Sequence, residues 1–144
     1  MQIFSAGPSA VYALQFQSGG AFNPADATTY YAGGLPFAWN TGSTARPLWI
    51  PRAGTIKAIY GSFIVAGAGS NEQSTVSFRL NDTTDTTITS TLELSAAGLR
   101  TDFSNTALAI AVAAGDWASL KWVTPTWATN PTTVSVTATM LVAI

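Results

Sequence analysis

This sequence predicts an all-β protein, an antiparallel two-sheet sandwich of jelly-roll type with about eight or nine strands. Three observations carry the prediction. Apolar and polar residues alternate with a period of two over short segments, the pattern of strands with one buried face. Clusters of Gly, Pro, Asn and Asp separate those segments where turns are needed. No segment spaces its apolar residues three or four apart, as an amphipathic helix would. An immunoglobulin-like sandwich is the nearest competitor, and the absence of cysteine removes the Cys pair and intervening Trp that would mark it. Residues 1–144 are expected to form one domain, because 15.0 kDa suffices for a core of its own.

Taken in order, residues 11–17 read as the first strand, with Tyr12, Leu14 and Phe16 on one face. Residues 25–40 are ambiguous, since Tyr30 and Tyr31 suit a strand while Gly33, Gly34 and Pro36 break a long one. Residues 46–50 make a short edge strand, because Pro47 has no N–H to give a ladder. Residues 55–65 are apolar on both faces, Ile56, Tyr60 and Ile64 against Ile59, Phe63 and Val65, which predicts a central strand covered on both sides. Residues 74–80 alternate cleanly, with Val76, Phe78 and Leu80 inward. Residues 81–85, rich in Asn and Asp, form a tight connection to a Thr-rich return strand at 88–94.

A polar stretch at 98–105 precedes a strand marked by Leu108, Ile110 and Val112. Ala113-Ala-Gly-Asp116 then turns the chain into residues 117–123, which reads as a hairpin. In the last strand, 132–144, Val134, Val136, Ala138, Met140, Val142 and Ile144 share a face, so the chain is expected to end inside its core or an interface.

Charge narrows the function. Six basic and seven acidic side chains, with no His and no Cys, leave little for acid–base or thiolate chemistry. The carboxylates Asp26, Glu72, Asp82, Asp85, Glu93, Asp102 and Asp116 fall mostly in turns, where Asp serves the backbone, so no catalytic pair, metal site or cofactor is expected. The loop carrying Asp82 and Asp85 has too few acidic positions for a dedicated calcium site. The six cations, spread from Arg46 to Lys121, make no basic patch for nucleic acid. No membrane span is expected, and the residues 1–8 lack the basic start of a signal peptide. A surface so poor in charge lacks the usual protection against association, which points to a homo-oligomer.

Five tryptophans are the candidate contact residues. Trp117 and Trp122 fall on opposite faces of one strand, so whichever faces inward belongs to the core and the other can meet a partner. Trp127 sits in a Pro-bounded loop and suits a subunit interface, or with Trp39 and Trp49 a platform for a glycan.

The run 105–144, with its apolar strand, Gly-Asp turn and aromatic strand, and the segment Ile50-Pro-Arg-Ala-Gly-Thr-Ile-Lys-Ala-Ile-Tyr60 resemble small jelly-roll virion proteins of tailed bacteriophages and, more widely, tumour-necrosis-factor-like jelly rolls. The resemblance covers about residues 50–144. It implies a virion component, often trimeric, whose partners are the major capsid protein or other virion proteins and, for a fibre head, a host-surface glycan. With neither heptads nor a Gly-X-Y stalk in the sequence, capsid decoration on the outer surface is expected over a fibre tip. Residues 1–50 have no counterpart in the resemblance and are read as including an arm able to reach a neighbour.

Overall fold

The computed structural model describes residues 10–144, so the reading of residues 1–8 lies outside it. Ten strands run through the described residues: β1 (Val11–Ser18), β2 (Thr29–Ala32), β3 (Leu48–Trp49), β4 (Gly54–Gly67), β5 (Gln73–Leu80), β6 (Thr84–Glu93), β7 (Arg100–Asn105), β8 (Ile110–Val112), β9 (Trp117–Val123) and β10 (Thr132–Ala143). They form two antiparallel sheets. The first has the order β1-β10-β4-β7, with β8 also on β4; the second has the order β2-β9-β5-β6, with β3 also on β9. The principal pairs are therefore β1 with β10, β2 with β9, β4 with β7 and β5 with β6. That is an antiparallel ribbon, first strand to last and second to second-last, rolled into a sandwich, the topology of a jelly roll.

Alternation builds the core between the sheets. From β10, Val134, Val136, Ala138, Met140 and Val142 all point inward. Their partners across β4 are Val65, Phe63, Gly61, Ile59 and Ile56. The step from Ile56 to Ile59 is three residues because Lys57 is extra, a β-bulge opposite Leu141 and Val142. One apolar set thus changes phase along β4, which imitates a strand apolar on both faces. The strand is central, as the sequence indicates, but it is covered on one side: Tyr60 and Ile64 are each 47% exposed on the outer face.

Trp122 of β9 is the hub of the core. Its ring lies 5.1 Å from Trp39, 5.2 Å from Phe63, 5.8 Å from Tyr30 and 6.2 Å from Trp127. Two connections close the core at that end. The buried Thr124 hydroxyl accepts from the Thr28 N–H and reaches the Ala25 carbonyl at 2.8 Å. Asp26 Oδ1 accepts from the Trp127 N–H and from the Asn130 side chain.

Two expectations are corrected. The polar stretch 98–105 contains a strand, β7, whose only buried residue is Phe103; an edge strand with one solvated face needs little apolar character. The strands at 110–112 and 117–123 are not a hairpin, since β8 pairs with β4 and β9 with β2, β3 and β5. The turn between them does form, with the Ala113 N–H donating to Asp116 Oδ2 and Gly115 at φ +88°. Ile50 then takes the backbone on either side, donating to Asp116 O and accepting from the Gly115 N–H, and leads the chain across to the second sheet. Within the segment 1–50 read as including an arm, β1, β2 and β3 pair within the sandwich, and residues 1–9 lie outside the described residues. Of the two places expected for the chain end, core or interface, Ile144 does not take the core; it is 44% exposed, beyond the last ladder pair.

Candidate functional site

The core claims three of the five tryptophans. Trp39, Trp122 and Trp127 are buried among Tyr30, Phe63 and each other, so none of the three can meet a partner or a glycan from its place. The expectation for Trp127 is thereby corrected: its loop folds inward because Asp26 and Glu72 accept from the N–H groups of Trp127 and Ala128. A Pro-bounded loop looks the same in sequence whether its aromatic points in or out.

The remaining two form a cross-strand pair. Trp49 of β3 lies opposite Trp117 of β9, both on the outer face of the second sheet. Trp49 is 61% exposed and Trp117 partly so. Strand β3 borders this sheet, and the excursion leading to it from β2 also displays Leu35 and Phe37. The Arg46 guanidinium sits 5.3 Å from the Phe37 ring centre, held by a hydrogen bond from Nε to Ala38 O. Exposed Trp, Phe and Arg are residue types that protein contacts favour. The sequence signal for Leu35 and Phe37 was an apolar pair flanking Pro36 inside a Gly-rich loop, where no strand could bury them.

Beside the Trp pair the same face carries most of the molecule's ionic structure. Arg79 donates to Asp82 and Asp85, and Lys121 donates to Asp85. The Arg79 hydrogen bond holds the Asp82 carboxyl below its ordinary range. Burial pushes Asp85 upward, but donation from Lys121 and Arg79 outweighs it and the net direction is down. Asp116 is lowered by the Ala113 N–H and the Asn81 amide. These acids are spent on cations and backbone donors, and no cluster of three or more metal-type ligands occurs among the described residues.

The outer face of the first sheet is different. Register places Gln15, Thr139, Tyr60 and Ser104 in one row across four strands, and Gln17, Thr137, Ser62 and Asp102 in the next. A depression of about 470 Å³ opens over the β10, β4 and β7 part of these rows, with Arg100 at its border. It is shallow because Ser62 and Thr137 are small, and walled because Tyr60 and Arg100 are tall. Asp102 Oδ1 accepts from Ser62 Oγ at 2.6 Å and from Arg100 Nε at 2.8 Å. Tyr60 appears in the sequence as part of a covered apolar face, and the bulge at Lys57 is the reason that reading hid it.

No family model and no curated protein matches the chain. Among the solved structures that match, two illustrate a distant likeness. The isomalto-dextranase of Arthrobacter globiformis T6, complexed with panose, aligns over 93% of this chain at 14% identity and a TM-score of 0.40. The alignment covers 24% of the isomalto-dextranase chain, so this protein spans about a quarter of that length. A chain of desmodium yellow mottle tymovirus aligns over 99% of this chain and 92% of its own, at 10% identity and a TM-score of 0.32. At such scores the architecture rests on the strand pairing described above.

Proposed function

We propose that this protein is a non-enzymatic structural component of a tailed-bacteriophage particle, a jelly roll that associates with its own copies, as a trimer, and decorates or cements the outer capsid surface. The observation that carries the reading is the exposure of Trp49, Leu35 and Phe37 on a molecule with very few charges to keep copies apart. The resemblance of residues 50–144 to small virion jelly rolls supplies the setting. Adhesion of this kind works by burying apolar area, so salt, which screens charge pairs, leaves it intact.

Sedimentation velocity at about 0.1 M and about 1 M salt is the test. Oligomers are expected at both, and Trp49→Ser combined with Phe37→Ser is expected to release monomers that keep the wild-type thermal midpoint. A monomer at every concentration, or oligomers that dissociate as salt is added, overturns self-association. Locating the chain in intact particles tests its setting: a capsid-lattice position is expected, and a tail-tip position favours the second reading, a receptor- or carbohydrate-binding head. The depression on the first sheet favours that second reading independently.

A further inference from the structure

We propose that the outer face of the first sheet holds a binding site for a neutral oligosaccharide, centred on Tyr60 and the Arg100–Asp102 pair. The site does not depend on the assembly reading, since it lies on the sheet opposite Trp49 and Trp117. Its lining is the complement of a polyol. Asp102 offers carboxylate oxygens and Arg100 offers N–H donors within one pair, so adjacent sugar hydroxyls can donate to one and accept from the other. Ser104, Thr137 and Thr139 add hydroxyls that serve in either role. The exposed Tyr60 ring supplies an apolar face for the C–H side of a pyranose.

Charge selects the ligand class. Arg100 and Asp102 cancel, and the other lining residues are uncharged, so neither a phosphate nor a metal ion finds net attraction. Shape selects the length. Four strands at about 4.8 Å spacing and a two-residue step along them give a grid of roughly 14 Å by 7 Å, room for a short chain of sugar rings. Gln15 and Gln17, bonded to each other through their amides, extend that grid beyond the depression.

The test is calorimetric titration with maltotriose, cellotriose, mannotriose and chitotriose, with trigalacturonate as the acidic comparison. At least one neutral trisaccharide is expected to bind, more tightly than trigalacturonate. Tyr60→Ala is expected to weaken it by roughly tenfold, the worth of one stacked aromatic ring. Asp102→Asn is expected to weaken it as well, and Trp49→Ser on the other sheet to leave it unchanged. Tyr60 and Asp102 are exposed, so both variants keep the fold, which thermal melts verify. Absence of binding by all four neutral sugars overturns the proposal. So does binding that survives Tyr60→Ala, or binding that is lost in Trp49→Ser. Each of these results leaves the sedimentation test of self-association standing.

Discussion

At the scale of single residues, Trp122 and the acidic side chains decide most. Trp122 meets four aromatic neighbours in a fully buried site, so Trp122→Ala leaves a cavity that the rings around it cannot close. A loss of about 3–5 kcal/mol is expected by urea denaturation. The carboxylates govern pH. Asp82, Asp85 and Asp116 each titrate below their ordinary range when folded. The unfolded chain therefore binds more protons in acid, and the stability these groups supply is complete above the ordinary carboxylate range and lost as pH falls below it, through their lower folded-state values. With no His to titrate near neutrality, the thermal midpoint is expected to stay flat from about pH 8 to about pH 6 and to fall below about pH 4. A midpoint that rises on acidification contradicts this account. Asp85→Asn should flatten the acid limb, because Arg79 and Lys121 then lose their shared carboxylate.

At the scale of elements, bulge and turn matter more than strand propensity. Gly61 of β4 faces inward, and a Cβ there would stand 2.2 Å from Phe103 Cζ and 2.9 Å from Ala138 Cβ. Gly61→Ala is thus expected to cost about 1–3 kcal/mol through overpacking, read as a lower thermal midpoint. The β5–β6 hairpin turns on Asn81 and Asp82, at φ 49° and 58°, a pair of left-handed residues as a type I′ turn requires. Asn81 also ties this turn to the next loop, donating to Asp116 and accepting from the Trp117 N–H. Asn81→Ala is expected to cost about 1–2 kcal/mol, and Asn81→Gly, which relieves strain but not the lost bonds, less. This hairpin was legible because Asn-Asp carries its own turn chemistry. The supposed hairpin at 113–116 was misread because the turn residues are right while the strands they join part company, and Ile50, more than sixty positions upstream, takes the backbone on either side. The two-sided reading of 55–65 failed for a related reason: one extra residue, Lys57, reverses the alternation, and a pattern of two carries no mark of where it slips.

At the scale of the whole molecule, the jelly-roll sandwich was legible in alternation and turn spacing, whereas the placement of aromatics was not. Alternation tells inside from outside within a strand, which put Trp117 and Trp122 on opposite faces, but it is silent for Trp39 and Trp127 in loops. The topology makes the last strand indispensable, because β10 pairs with both β1 and β4. Pairing so distant in sequence must close long loops before contacts offset the entropy, so refolding is expected in milliseconds to seconds, single-exponential by stopped-flow fluorescence. Microsecond folding would show that local contacts dominate instead. The β1–β10 ladder also sets how the molecule answers to force. Val11 lies opposite Ala143, and the Ile144 N–H donates to Ala10 O, so residues 10 and 144 leave from the same corner. A pull on that corner loads ladder bonds one at a time and peels the strands apart like a zip. A protein built this way is a poor link in a chain under tension, and any load it bears has to be carried through its sides.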